Sequence, residues 1–548
     1  MIFAPEHLVI APIVLPMVAA ALLLFFDDRE RVLKATIAIG VSVALLVISV
    51  VLLRVAHANG ASEDGRVLVY LLGNWPPPFA IVLVLDRLSA MMLALTAVLA
   101  IPALIFSLGR WQKAGPHFHT LFLLLLMGIN GSFLTGDLFN LFVFFEVMLA
   151  ASYGLVMHGT SAQRVRAGLH YIAINLVASL LFLIGVSMIY GVTGTLKMAD
   201  LAVRIGQVPQ ESRMMLEAGA GILGVAFLIK AGMWPLGFWL PTTYSAAAAP
   251  SAAIMAIMSK VGVYVILRLS LLFSFSGTTG DPGSFGSYLL LIGGVLTVVF
   301  GTLGVLASQV LGRLAGFSVL VSSGTLLAAL GLASTGVTAG ALFYLVTSTV
   351  ALSAFFLLIE LIDRGQDTFA NVLAVTAEAF GDSEDDEDAE EEVGVSIPGT
   401  LAILGISFAA CALLLAGLPP LSSFVAKVAM LNAVLNPHGL GNGGVILPSA
   451  WWFVALLIVS GLATLISMSR AGIRAFWAPV DASVPRVLLV EIAPVGALLA
   501  LTALMSIQAG PVMRYMEATA ADLHSPNAYI DQVLEPARAL PMQRSAPQ

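Results

Sequence analysis

Long apolar stretches, separated by short polar segments, follow one another along almost the whole chain. A helix that crosses a bilayer needs about 20 apolar residues, and windows of that length predict about fourteen transmembrane helices. The predicted spans are 5–26, 33–56, 79–108, 118–135, 138–158, 168–191, 216–240, 245–272, 286–306, 308–332, 336–362, 398–434, 448–470 and 486–508. The pattern therefore predicts an all-α polytopic membrane protein.

Composition agrees with this class. Hydrophobic residues make up 59% of the chain, charged residues make up 10%, and the mean hydropathy is +0.99. The net charge is −7, but the acidic excess is concentrated in one tract at 382–392. The rest of the chain is close to neutral, so no nucleic-acid partner is expected. The tract itself fits either a solvated insertion or a funnel that attracts cations.

Cysteine content limits the chemistry that this chain can perform. Cys411 is the single cysteine, which excludes an internal disulfide, a cysteine zinc site and an iron–sulfur cluster held by this chain alone. No nucleotide-binding loop or flavin fingerprint stands out. We therefore expect no cofactor, no metal and no enzymatic activity of this chain by itself.

The loops between the predicted spans form two alternating sets, and one set holds most of the lysines and arginines. Because cytoplasmic loops are enriched in lysine and arginine, the richer set is predicted to be cytoplasmic and both termini to be periplasmic, in a bacterial inner membrane. The richer set comprises Arg29, Arg31, Lys34, Arg110, Lys113, Arg164, Arg166, Arg313, Arg364, Arg470, Arg474 and Arg486.

The segment 226–269 combines lysines with helix breakers. Lys230 and Lys260 lie in this apolar run, and Pro235 interrupts it. A lysine near the centre of a bilayer costs about 3 kcal/mol on insertion scales and usually faces an internal polar path. Proline removes a backbone donor, so the run predicts a helix, a break and another helix.

A second copy of this break occurs later in the chain. AGMWPLG at 231–237 matches AGLPPLS at 416–422, and a lysine stands near each copy, Lys230 before Pro235 and Lys427 after Pro420. Transporters built from inverted repeats place their ion sites at such interrupted helices. The match therefore predicts two repeats with an ion path at mid-membrane.

Two carboxylates stand on the fifth predicted span. Glu146 lies in its middle among phenylalanines, where a carboxylate must pair with a cation or be protonated. Glu146 either forms a proton-loading pair with an intramembrane lysine or belongs to a permanent ion pair that holds helices together. Asp137 is near the start of the span, where capping or an interfacial position is expected. Asn175 and Ser179 share one face of the next span and predict interhelical hydrogen bonds.

Three of the six lysines lie in apolar spans: Lys230, Lys260 and Lys427. Lysine releases its proton when desolvated, whereas arginine stays charged, so a path of lysines and one glutamate is chemically suited to protons. In the alternative interpretation Lys260 is an interior tether and Lys427 extends to the membrane surface.

These residues carry a resemblance to a known family. GDLFNLFVFFEVMLAASYGL, FLIKAGMWPLGFWLPTTYSAAAAPSAAIMAIMSKVGVYVILRL and AGLPPLSSFVAKVAML resemble the antiporter-like membrane subunits of proton-pumping NADH:quinone oxidoreductase, membrane hydrogenases and Mrp-type multisubunit cation/proton antiporters. Within this group, the Mrp-type D subunits show the strongest similarity.

The resemblance implies fourteen helices with two inverted five-helix repeats, each with a discontinuous helix. The implied division is helices 1–3 in 1–115, a first repeat with broken helix 7 in 116–275, a second repeat with broken helix 12 and an acidic loop at 364–396 in 276–470, and a last helix and tail in 471–548. The tail is expected to be extended from Ala518 onward.

The resemblance also implies residue roles. Glu146 and Lys230 form the charge pair that gates proton uptake, Lys260 passes the proton to the second half, and Lys427 passes it to the exit or to a neighbouring subunit. The eleventh span departs from the pattern, because Thr347 and Leu352 stand where related subunits carry a histidine and a lysine. The path between Lys260 and Lys427 would then use water or the hydroxyls of Ser322, Ser323, Thr347 and Ser348.

We therefore expect a proton-translocating core subunit of a multisubunit Na⁺(K⁺)/H⁺ antiporter, which exchanges cytoplasmic cation for external protons together with partner subunits. The alternative is a proton-pumping membrane-arm subunit of a respiratory NADH:quinone oxidoreductase or a membrane hydrogenase. A scaffold with vestigial charges is a third interpretation.

Overall fold

The N-terminal part of the chain forms helices and one small hairpin. The computed structural model describes residues 5–27, 29–60, 67–75, 81–274, 285–379, 399–437, 448–476 and 487–538. The first elements are α1 (Pro5–Leu8), α2 (Ala11–Leu23), α3 (Arg31–Gly60), the antiparallel strands β1 (Leu68–Leu71) and β2 (Val82–Leu85), and α4 (Arg87–Ser107).

The central part of the chain is helical from Phe118 onward. Its helices are α5 (Phe118–Leu134), α6 (Leu138–Met157), α7 (Ala162–Thr193), α8 (Met198–Arg204), α9 (Gln210–Ala231), α10 (Trp239–Ala246), α11 (Ala249–Met255) and α12 (Met258–Ser274).

The remaining helices complete the bundle. They are α13 (Phe285–Ala307), α14 (Leu311–Gly331), α15 (Thr335–Ala379), α16 (Gly399–Ala416), α17 (Ser422–Leu435), α18 (Pro448–Phe476), α19 (Leu489–Ile507), α20 (Ala509–His524) and α21 (Asn527–Arg538).

The helices confirm the predicted class. Within the described ranges, 12 helices are long and apolar enough to cross a membrane, and three shorter apolar helices, α2, α5 and α17, accompany them. Each of the fourteen predicted spans falls on one or more of these helices. The chain is therefore an all-α membrane protein, as predicted, and its count of full-length spans depends on how the short and broken helices are treated.

The third predicted span began too early. Residues 82–85 form β2, which pairs with β1, and the helix starts only at Arg87. Asp86 caps α4, because its side chain accepts from the Ser89 N–H and Ser89 returns a bond to the Asp86 N–H. A short apolar strand has the same composition as the end of a buried helix, so hydropathy alone does not separate them.

Two predicted loops are helical instead. The loop expected from residue 364 is wrong in its first part, because α15 continues to Ala379 without a proline to stop it. The acidic tract at 382–392 lies outside the described residues. The extended tail predicted from Ala518 is also wrong: α20 and α21 fold there, with Met516, Ala520 and Leu523 buried on one helical face.

The two matched segments share one backbone geometry. α9 ends at Ala231 and α16 ends at Ala416, and the glycine that follows each is left-handed, with φ 78° at Gly232 and 76° at Gly417. This conformation is typical of a glycine helix terminus. The Trp234–Pro235 and Pro419–Pro420 peptide bonds are both cis, and helix resumes at α10 and at α17.

Packing places the broken helices side by side with intact ones. α6 and α9 lie against α7, and α12 lies against α9 and α14; α14 then packs on α15, which contacts α16 and α17. A continuous series of contacts thus runs from the helices that carry Glu146 and Lys230 to the helix that carries Lys427.

Candidate functional site

Glu146 and Lys230 face each other across α7. Ser179 donates a hydrogen bond to the Glu146 carboxylate, and the Lys230 Nζ donates to the Asn175 Oδ1 over 3.2 Å. Within the described residues the two charges form no direct ion pair, although they are close enough to attract each other. The predicted interhelical hydrogen bonds of Asn175 and Ser179 are therefore confirmed, and these two side chains bridge the candidate pair.

Local structure explains why a lysine is accommodated at position 230. Lys230 lies in the last turn of α9, where the free carbonyls of the helix end carry partial negative charge that favours a cation. Its Nζ is 5.7 Å from the centroid of the Phe145 ring, which adds a cation–π contribution. The side chain is 7% exposed, so it is enclosed by protein and does not reach the membrane surface.

Lys260 is completely buried and held by hydroxyl groups. It is 0% exposed, and its Nζ donates to the Ser322 Oγ over 2.8 Å and to the Ser323 Oγ over 3.3 Å. Both serines stand on α14. In the part of the chain that the structure describes, Lys260 has no carboxylate partner, so its environment is polar but not anionic.

Lys427 reaches back across the second break. Its Nζ donates to the Ala416 carbonyl over 2.8 Å, at the end of α16 where the helix dipole favours a cation. Gly417 leaves the room for this contact, since a Cβ there would lie 2.6 Å from the Lys427 Nζ. The lysine is 8% exposed and is therefore enclosed at the break.

The hydroxyls proposed for the path between Lys260 and Lys427 separate into two kinds. Ser322 donates to the Ser348 Oγ over 2.9 Å, which extends the contact of Lys260 to α15. Thr347 donates to the carbonyls of Phe343 and Tyr344 in its own helix, over 3.1 and 3.3 Å. The structure thus brings Ser322, Ser323 and Ser348 to the lysine and leaves Thr347 out of this network.

Asp137 has the structural role that its position suggests. It precedes α6, and its Oδ1 accepts from the Asn140 N–H over 2.9 Å. Its Oδ2 also lies 3.3 Å from the Lys197 Nζ. The side chain therefore caps the helix that carries Glu146 and pairs with a lysine.

Sequence reasoning missed one buried ion pair. Arg268 on α12 donates to both carboxylate oxygens of Asp86, over 2.7 and 2.9 Å. Burial alone would raise the pKa of Asp86, but the charge and hydrogen bonds of Arg268 outweigh it and hold the pKa below its usual value. The partners are far apart in sequence, whereas Arg87, the adjacent arginine, pairs with Asp522 instead.

A second missed cluster joins several elements through ion pairs and hydrogen bonds. Glu360 on α15 accepts from the Trp111 Nε1 over 2.7 Å and from Arg364. Arg364 also donates to Glu491 on α19 over 2.6 Å, and the Arg164 guanidinium lies 4.7 Å from the Trp111 ring centroid. Clustered arginines and acids were visible in the sequence, but their pairing was not.

Comparison with known proteins agrees with this architecture. Residues 135–441 match the family described as "NADH:quinone oxidoreductase/Mrp antiporter, TM". A relative from Rhizobium meliloti (strain 1021), described as the D subunit of a probable K⁺/H⁺ antiporter, is 57% identical over 97% of this chain and 98% of its own length. The chain belongs to this antiporter-like subunit family. The matched range contains Glu146, Lys230, Lys260 and Lys427.

Other members extend the comparison. The D subunit of a Na⁺/H⁺ antiporter from Alkalihalophilus pseudofirmus is 34% identical to this protein, over 97% of this chain and 100% of its own length. The structure of the Mrp complex from Dietzia sp. DQ12-45-1b contains a chain that is 26% identical, with a TM-score of 0.78, covering 97% and 99% of the two chains. Respiratory complex I from Thermus thermophilus shares the fold, with a TM-score of 0.72 at 20% identity and coverage of 94% and 99%.

Proposed function

We propose that this chain is the proton-translocating core subunit of a multisubunit monovalent cation/proton antiporter and exchanges cytoplasmic Na⁺ or K⁺ for external protons. Three buried lysines in one continuous helical bundle carry the proposal. None of them has a carboxylate within ion-pair distance in the described residues. They can therefore lose and regain a proton without breaking a fixed salt bridge.

The contacts support the residue roles that belong to this proposal. Glu146 and Lys230 form the gating pair: their charges interact through Ser179 and Asn175 on α7, so a small change in these bonds alters the separation of the charges. Lys260 receives the proton at the junction of the two halves, and Lys427 delivers it toward the exit or a neighbouring subunit. Pro235 and Pro420 lie within the breaks that expose helix ends to this path.

Orientation in the membrane rests on the arginines. Arg470 and Arg474 donate to the carbonyls of Leu306 and Gln309, close to Arg313 in the first turn of α14, and the cluster around Arg364 gathers Arg164 as well. Loops rich in arginine face the cytoplasm. This supports a cytoplasmic position for that face and periplasmic termini, in a bacterial inner membrane.

The partners are other subunits of a hetero-oligomeric complex. The related structure named as an Mrp complex and the relatives named as antiporter subunits support this assignment. The repeat boundaries at 116–275 and 276–470 belong to the same proposal.

The test uses everted membrane vesicles from cells that express the complete complex. The interior is acidified by respiration, and Na⁺ or K⁺ is then added. We expect cation-triggered alkalinisation in wild type and in the exposed control Lys113→Ala, and none in Glu146→Ala or Lys230→Ala at equal complex assembly.

Two other results would overturn the proposal. If no cation pulse moves protons, yet NADH-driven pumping falls in both variants, the chain serves a redox-driven complex instead. If Lys230→Ala leaves ion flux intact, the buried charges are structural.

A further inference from the structure

Arg164 contacts the ends of two other helices. It lies in the first turn of α7, where its backbone N–H donates to the Ser161 side chain. Its Nε donates to the Ala246 carbonyl over 3.0 Å, at the end of α10. Its Nη1 donates to the Gly159 carbonyl over 3.2 Å, just after the end of α6. One guanidinium group therefore joins α6, α7 and α10.

The Ala246 carbonyl needs a donor from outside its own helix. In a continuous helix this carbonyl would accept from the N–H of residue 250, which is a proline and has no N–H. The backbone also leaves the helix at Ala247, where ψ is 155°. A buried carbonyl without a donor costs free energy. Arg164 supplies the donor that Pro250 lacks, and its charge is favourable at the C-terminal end of a helix.

The helix α10 connects this contact to the turn that carries Lys230. It has eight residues and is about 12 Å long. At its other end, the Trp239 Nε1 donates to the Ile229 carbonyl over 3.3 Å, next to Lys230. The Trp239 ring also packs on Tyr171 of α7, whose carbonyl accepts from Asn175, the partner of Lys230. A displacement at the far end of α10 would therefore reach both Lys230 and Asn175.

Trp111 packs against the same guanidinium group. The Arg164 Cζ lies 4.7 Å from the Trp111 ring centroid, which is a cation–π contact. The Trp111 Nε1 donates to Glu360 on α15 over 2.7 Å, and the Glu360 carboxylate attracts the Arg164 charge. A Cβ at Gly159 would lie 3.1 Å from both the Arg164 Nη1 and the Trp111 ring, so a glycine permits this close packing. The contacts of Arg164 thus extend to α15.

We propose that Arg164 is a positioning residue for the Glu146–Lys230 pair. It holds the interruption between α10 and α11 against the end of α6, and so sets the distance between the helix that carries the carboxylate and the turn that carries the amine. This inference rests on the proposed function and deepens it, because it adds a residue outside the proton path that governs the gating pair. An arginine that only orients the chain in the membrane would need none of these contacts.

The test compares three variants and a matched control in the complete complex. Arg164→Ala removes both donors and the cation–π contact. Arg164→Lys keeps the charge but lacks the planar fork that donates in two directions. Trp111→Phe keeps an aromatic ring and removes the donor to Glu360. Arg166→Ala is the control, because Arg166 is an exposed arginine two residues further along α7.

We expect cation-triggered proton exchange to fall about tenfold in Arg164→Ala and Arg164→Lys at equal assembly, because misplacing a reacting group by about 1 Å can lower a rate by up to about 100-fold. Trp111→Phe should lose about threefold, in line with one hydrogen bond. Arg166→Ala should exchange at the wild-type rate. Wild-type exchange in both Arg164 variants would overturn the inference.

Free guanidinium distinguishes positioning from a general structural role. Arg164→Ala leaves a space beside the Trp111 ring in which a guanidinium ion can donate to the same carbonyls. Guanidinium chloride at millimolar concentration, added to vesicles that already contain the assembled complex, should restore most of the lost rate in Arg164→Ala. Urea, which has a similar shape and no charge, should not restore it. Equal effects of guanidinium and urea would contradict the inference.

A direct observation separates this inference from the proposed function. Electron cryo-microscopy of the assembled Arg164→Ala complex should show α10 displaced from Gly159 and the bond between Lys230 and Asn175 lengthened. Unchanged positions of α10 and Lys230 would contradict the inference, even if exchange falls. Absence of exchange in wild type would instead contradict the proposed function, while the position of α10 would still test the role of Arg164.

Discussion

The two breaks have the same backbone and different chemistry. Gly232 and Gly417 end their helices in the same left-handed conformation, yet the lysines near them are held in different ways. Lys230 stands before its break and bonds to the Asn175 amide, with Glu146 beyond. Lys427 stands after its break and bonds to the Ala416 carbonyl of the preceding helix.

In the proposed function, this difference assigns gating to the first half and proton conduction to the second half. In the first half, a carboxylate and an amine are kept apart by two side chains of one helix, so a modest rearrangement can change their electrostatic interaction. In the second half, the Lys427 amine donates to the backbone carbonyl of Ala416, and the polar side chains nearby carry hydroxyl groups. The repeated break supplies the enclosed helix ends, and the residues around each lysine decide what that site does.

The largest effect is expected from removing either lysine. Lys230→Met and Lys427→Met should each lower proton exchange by about 100-fold or more, because a positioned proton carrier contributes on that scale. The rate of cation-triggered alkalinisation in vesicles, at equal assembly, measures this. Normal exchange in Lys427→Met alone would remove the second half from the proton path.

The two glycines provide a sharper comparison. Alanine at either position meets a backbone cost of about 1–2 kcal/mol at positive φ, but the contacts differ. At Gly417 the new Cβ would overlap the Lys427 amine, whereas at Gly232 it would meet the flexible ends of Leu240 and Leu320. Gly417→Ala should therefore lose about tenfold more exchange than Gly232→Ala at similar thermal stability. Equal losses of exchange in the two variants would show that backbone strain, and not contact with Lys427, causes the loss.

A smaller effect is expected for the bridge on α7. Ser179→Ala removes the hydroxyl that donates to Glu146, and Asn175→Ala removes the acceptor for Lys230. Each should slow exchange about three- to tenfold, which corresponds to the net contribution of about 0.5–1.5 kcal/mol from one hydrogen bond. Ser187→Ala, exposed on the same helix, is the control. A wild-type rate in both bridge variants would mean that Glu146 and Lys230 act independently.

The smallest effect is expected at Thr347. Its hydroxyl bonds to carbonyls of its own helix, so Thr347→Val should leave exchange unchanged, in contrast to the adjacent Ser348. A clear loss of exchange in Thr347→Val, measured in the same vesicles, would show that the proton path runs along the face of α15 that carries Thr347.

The sequence was sufficient for the helices and for the breaks. Membrane spans are long apolar runs, and a glycine followed by a proline within such a run strongly predicts an interruption. It was insufficient for partners that meet only in the folded chain, such as Lys230 with Asn175 and Asp86 with Arg268. The hairpin strand β2 was also missed, because four apolar residues carry no period that distinguishes a strand from a helix.

We propose that Lys260 passes the proton between the two halves, so its replacement gives the most direct test of the account. Everted vesicles that contain the complete complex with Lys260→Met, at wild-type assembly, should show no alkalinisation after a Na⁺ or K⁺ pulse, because the proton cannot pass from the first half to Ser322. Alkalinisation at the wild-type rate would contradict a proton path through the centre of this protein.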